Sequence, residues 1–133
     1  MRVGLWLLPL SSLGGEAAEA ARLGLEAVDL RDRLLNGLPE GAKFAGLSWE
    51  RVVELIDEVV STSGAYDAVL VYNVDLLLAR LSYADRRQAW QSVGQRLPHR
   101  TRGLLIVMPE TADELLPPPE QLAAWQREGL VAR

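Results

Sequence analysis

Asp67-Ala68-Val69-Leu70-Val71-Tyr72 is the stretch on which the reading of this chain turns: short, apolar, partly β-branched and free of polar alternation. A strand with one wet face alternates apolar and polar residues. One that does not is buried on both faces, as in a parallel sheet covered by helices on either side. Gly103-Leu104-Leu105-Ile106-Val107-Met108 repeats the pattern and is stopped by Pro109. Upstream, the apolar run Val3 to Leu10, ending in a loop at Pro9 to Ser12, and the shorter Glu26-Ala27-Val28-Asp29-Leu30 read as two further strands. Helical segments separate them, and this alternation predicts an α/β fold: a three-layer sandwich around a mostly parallel sheet of four to five strands, with residues 1–133 as one domain.

The helices announce themselves by their ends. Glu16 to Leu23 is alanine-rich with acids in its first turn, where the helix dipole favours them. Arg31 to Leu38 reads as one or two turns ended by Pro39 and Gly41. Ser48 caps an amphipathic helix whose apolar positions Val52, Val53, Leu55, Ile56, Val59 and Val60 fall at helical spacing. Ser82, with Asp85 three residues on, opens a helix running to Leu97 before Pro98. Thr111 with Glu114 reads as a capping box for one turn, Pro117-Pro118-Pro119 as a stiff spacer, and Pro119 to Glu128 as a last helix with Gly129 at its end. Of the four tryptophans, Trp6 is expected in the core and Trp49 partly exposed, while Trp125 docks either on its own sheet or on a partner.

The amino terminus has a thin resemblance to a secretory leader, one Arg before a short apolar run, but Pro9-Leu10-Ser11-Ser12 reads as the end of a buried strand. No apolar stretch approaches the roughly 20 residues of a membrane-spanning helix. The expectation is a cytoplasmic protein without membrane contact, which the lack of cysteine weakly favours.

Composition narrows the chemistry. With no Cys and one His, thiol nucleophiles, iron–sulfur clusters and multi-histidine metal sites are excluded. His99 precedes a strand, so it belongs at the edge of the sheet opposite to the carboxyl ends where ligands of open parallel sheets bind, and there is no G-x-S-x-G elbow. Those carboxyl ends are Pro9 to Ser12, Asp29, Tyr72 to Asp75 and Pro109 to Thr111. A phosphate loop there requires glycines for close backbone approach and a lysine to neutralise charge. Pro9-Leu10-Ser11-Ser12-Leu13-Gly14-Gly15-Glu16 keeps a glycine pair but puts Glu16 where the charge should be positive, and the only lysine, Lys43, lies after the second strand.

The segment Val69-Leu70-Val71-Tyr72-Asn73-Val74-Asp75-Leu76-Leu77 resembles the Walker B region of P-loop NTPases, and more narrowly the form found in the small P-loop (BrxF-type) proteins of BREX phage-defence systems. The order of elements along most of the chain is similar as well. The resemblance implies a P-loop NTPase-like fold in which Tyr72 stands at the position of the magnesium-binding Asp, with Asn73 and Asp75 as the vestigial partners. A neutral phenol is a poor ligand for a hard cation. With both nucleotide motifs altered, the expectation is a degenerate, non-catalytic accessory or adaptor subunit without cofactor. Its partner is a larger protein, an ATPase or DNA-modifying enzyme of a bacterial phage-defence or DNA-processing complex. Two alternatives stay open: a nucleotide- or metal-dependent enzyme using strand-end groups (Ser11, Ser12, Asp29, Asp75, Glu110), and a DNA-binding adaptor. For Asn73 and Asp75 a capping or turn role competes with catalysis.

The last alternative comes from charge. Between residues 80 and 102 lie Arg80, Arg86, Arg87, Arg96, Arg100 and Arg102 against Asp85 alone, a net of +5 in a chain whose total is −4. Tyr83 and Trp90 fall among them. Arg80, Tyr83, Arg86, Arg87, Trp90, Arg100 and Arg102 are therefore the candidate contact residues, for protein first and nucleic acid second, with a solvated helix face as the plain alternative.

Overall fold

The computed structural model describes residues 3–37 and 47–133; Leu38, Pro39, Gly41 and Lys43 lie outside them. Strands β1 (Val3–Leu8), β2 (Glu26–Asp29), β3 (Ala68–Tyr72), β4 (Gly103–Pro109) and β5 (Val131–Ala132) form one sheet in the order β2-β3-β4-β1-β5, every pair parallel. The chain is an α/β three-layer sandwich. Its helices are α1 (Glu16–Leu23), α2 (Leu30–Asn36), α3 (Trp49–Ser61), α4 (Val74–Leu78), α5 (Tyr83–Arg96) and α6 (Pro119–Arg127).

Strand order explains why the two outer layers are unequal. From β2 to β3, β3 to β4 and β4 to β5 the chain steps in one direction across the sheet; from β1 to β2 it runs back in the other. Parallel crossovers are right-handed, so the three forward connections place their helices on one face and the single backward connection places α1 on the opposite face. The side chains sort accordingly. Val3, Leu5, Leu7, Val69, Val71, Leu104, Ile106 and Met108 face a large core shared with α2 to α6. Leu8, Leu70 and Val107 meet only Ala20 of α1, with Trp6, Tyr72 and Leu105 half-buried around them. Trp6 is thus not the core residue its apolar context predicts, because an alanine-rich helix of eight residues, about 12 Å long, does not cover its strand.

Local capping largely follows the sequence. The hydroxyls of Ser48 and Ser82 accept the amides of Arg51 and Asp85 at 3.2 Å. The capping box at Thr111 and Glu114 does not form: a single 3₁₀ turn, Asp113–Leu115, starts after Ala112 with no side-chain cap. The fifth strand lies in a tail that carries no strand signal. Gly129, at φ 75°, turns the chain back after α6, and the Leu130 carbonyl accepts the Leu5 amide at 2.8 Å, which brings Val131 and Ala132 beside β1. Helix α6 docks on its own domain: Trp125 packs edge-to-face on Trp90 with ring centres 6.2 Å apart, and a Cβ at Gly94 of α5 would lie 3.0 Å from the Gln121 side chain of α6.

Candidate functional site

The reversal of direction at β1 makes the carboxyl ends of β1, β4 and β3 the topological switch point, where open α/β sheets bind ligands. A cleft of about 340 Å³ lies there, lined by Gly14 before α1, Glu16 and Ala17 in its first turn, Tyr72 at the end of β3, Asn73 and Asp75 after it, and Val107 and Pro109 of β4. Leu13 and Leu76, both about two-fifths exposed, flank it.

The chain's own acids furnish this cleft. Glu16 is only 6% exposed and its Oε2 accepts the Gly14 amide at 2.9 Å, so the turn that would cradle a phosphate already holds a carboxylate. Burial, reinforced by the carboxylates of Asp29, Glu16 and Asp32, holds the Tyr72 phenol above the ordinary tyrosine range, and it stays protonated at neutral pH. Burial also pushes the Asp75 carboxyl up, against the backbone amides of Asp75 and Leu76 and with the charge of Glu16. Both shifts have the sign of a site that resists further negative charge.

Asn73 and Asp29, quoted as site candidates by sequence, are engaged in holding the backbone. Asn73 sits at φ 62°, a left-handed conformation that asparagine tolerates better than most residues, and precedes α4 without capping it by its side chain. Its amide instead donates to Asp29 Oδ2 at 3.0 Å, while Asp29 Oδ1 accepts the amides of Arg31 and Asp32 as the cap of α2. Asp29, Asp75 and Glu110 do not converge on a metal: among the described residues no group of three or more His, Cys, Asp or Glu is arranged to hold one. His99 ends a 3₁₀ turn before β4, at the opposite edge of the sheet, as its position in sequence requires.

The basic segment is divided by the fold rather than displayed by it. Arg102 is 5% exposed, with Nη1 donating to Glu26 Oε1 at 2.9 Å and Nη2 to the Val59 carbonyl at 2.8 Å. Arg100 forks onto Asp57 at 2.6 and 3.2 Å, and its guanidinium holds the Asp57 carboxyl below the usual carboxylate range. Trp90 is 2% exposed and donates its indole N–H to the Leu115 carbonyl at 3.0 Å. Arg102 and Trp90 are therefore structural side chains, a correction that sequence position and charge did not foretell, while Arg100 keeps about a third of its side chain exposed beside Asp57. The partners that absorb them, Glu26 and Asp57, lie far away in sequence.

Arg80, Tyr83, Arg86 and Arg87 remain near the surface. Tyr83 is 63% exposed at the mouth of a groove of about 650 Å³ between α5 and the segment from Asp113 to Leu122. Trp90, Leu116 and the buried Pro117 and Pro118 form its apolar lining. Arg87 crosses to Glu120 of α6, and Arg86 Nη1 donates to the Leu81 carbonyl at 2.7 Å. No sequence motif marks this groove; only the alternation of Tyr, Arg and Trp along one helix hinted at it. Among the described residues, no helix is long and apolar enough to cross a membrane. Comparison of the chain with protein-family models, with curated proteins and with solved structures returned no match in any of the three.

Proposed function

We propose that this chain is a non-catalytic accessory subunit that works by docking onto a larger protein, and that its strand-end cleft no longer serves nucleoside phosphates. The observation that carries the reading is Glu16: a carboxylate 6% exposed, taking the Gly14 amide at the start of α1 where a nucleotide phosphate would need free amides and positive charge. The neutral phenol of Tyr72 adds to it, since it suits a magnesium ion less well than an ionised carboxylate does. The setting, a bacterial cytoplasmic phage-defence or DNA-processing complex with an ATPase or a DNA-modifying enzyme as the larger partner, is supported only by the likeness of Val69 to Leu77 to small BrxF-type P-loop proteins. Protein ranks before nucleic acid as the partner because Arg87, Arg100 and Arg102 are each answered by an acid of the chain itself.

Two measurements test the reading. Titration calorimetry of the purified chain with ATP or GTP and Mg²⁺ is expected to show no binding heat; saturable binding, or hydrolysis, overturns it. The tagged chain purified from its native host is expected to bring down a larger protein in fixed proportion. Recovery of a lone chain at normal yield overturns the accessory role.

A further inference from the structure

Five arginines among the described residues are drawn at least partly into the fold: Arg51, Arg86, Arg87, Arg100 and Arg102. Four face a carboxylate, of Glu54, Glu120, Asp57 and Glu26 respectively. Arg86 has no ion-pair partner among the described residues, and its Nε, like that of Arg102, is buried without an acceptor. A guanidinium half withdrawn from water and not answered by an anion is costly, so its place in the fold calls for an account. Packing supplies part of one, because Nη1 is fixed on the Leu81 carbonyl at 2.7 Å. That bond also orients the cation in the wall of the groove beside α5.

We propose that this groove receives an extended peptide segment of the partner, in which a carboxylate beside an apolar side chain meets Arg86. The proposal rests on the accessory-subunit reading and adds the chemistry of the contact. Charge complementarity selects the occupant. Arg86 on α5 offers an unanswered positive charge, whereas Asp113 and Glu114, which also line the groove, are exposed acids. A nucleic-acid strand, negative at every phosphate, meets repulsion from Asp113 and Glu114. A peptide with one acid directed to Arg86 and a basic residue directed to Asp113 and Glu114 matches both signs of the lining. The partly exposed Leu116 and Leu122 of the lining take the hydrophobic side chain, and Tyr83, a rigid amphipathic ring 63% exposed, packs on it.

The test uses a random peptide display library panned on the purified full chain. Recovered peptides are synthesised and their Kd is measured on wild type, Arg86→Gln, Tyr83→Ala and, as a distant exposed control, Arg127→Gln. The expected result is a shared carboxylate next to an apolar residue, with affinity about tenfold weaker on Arg86→Gln, several-fold weaker on Tyr83→Ala and unchanged on Arg127→Gln. Exchange of the peptide's acid for its amide is expected to cost affinity on wild type and little on Arg86→Gln, which assigns the pair. Tyr83→Ala and the amide peptide keep the test valid if Arg86→Gln disturbs folding. A library that yields no binder, binders indifferent to Arg86 and Tyr83, or an oligo-dT strand that binds through Arg86 overturns the proposal. A native partner that binds Arg86→Gln and Tyr83→Ala as tightly as wild type overturns the groove and leaves the accessory reading standing; a lone chain together with a library that yields no binder overturns both.

Discussion

The strand-end cleft and the groove beside α5 are both lined by charged side chains, and they differ in what answers the charge. In the cleft Glu16 takes the Gly14 amide, and beside it Asp29 takes Asn73 and the start of α2, so both carboxylates are spent inside the chain. In the groove, Arg87 is spent on Glu120 while Arg86, its neighbour on α5, is fixed in position without an anion among the described residues. A charge satisfied within the fold works as structure. A charge held rigid and unanswered is what a second molecule can use.

Removing the groove's floor should have the largest effect. Trp90→Ala deletes a ring that is 2% exposed, its bond to Leu115 and its contact with Trp125, and is expected to cost about 3–4 kcal/mol in urea unfolding; a cost under about 1 kcal/mol would mean that groove and core are separable. Arg102→Ala follows, at about 3 kcal/mol by the same measurement, since it strands Glu26 and the Val59 carbonyl. A neutral result there would return Arg102 to the class of exposed, functional arginines.

The pH dependence of unfolding sharpens the comparison further, because two aspartates are shifted in opposite directions. Arg100 lowers the folded pKa of Asp57, so this group contributes stability that is complete above its unfolded value near 4 and is lost as pH falls through the folded value. Asp57→Asn is expected to cost about 1 kcal/mol at pH 7, with the gap to wild type closing in acid. Asp75, raised by burial, behaves inversely: its ionised form opposes folding at neutral pH and ceases to do so once it is protonated. Asp75→Asn should stabilise the chain by about 0.5 kcal/mol at pH 7 and by nothing near pH 3. Equal pH profiles for the two variants would erase the distinction drawn between the cleft and the Arg100 pair.

Much of the fold was legible because its signals are local. An apolar run without alternation such as Val69 to Tyr72 states burial on both faces, and Ser48 and Ser82 state where helices begin. The failures are also physical. Val131 and Ala132 become a strand because the Leu5 amide is there to be paired, not through any propensity of their own. The Thr111–Glu114 spacing mimics a capping box, and the single turn it foretells is there, but as a 3₁₀ turn that starts after Ala112 with no side-chain cap.

The site was legible only as far as its vacancy of charge. That a phosphate loop lacked its lysine, and that Glu16 stood in the turn, followed from residue types and their order alone, since the backbone approach and the charge that phosphates need are fixed by chemistry. Which arginines face outward did not follow. The sequence determines the charge of each side chain and the element that carries it. The partner that neutralises it is set by right-handed crossovers and strand order, which bring Glu26 to Arg102 and Asp57 to Arg100 across long stretches of chain and leave Arg86 without one among the described residues.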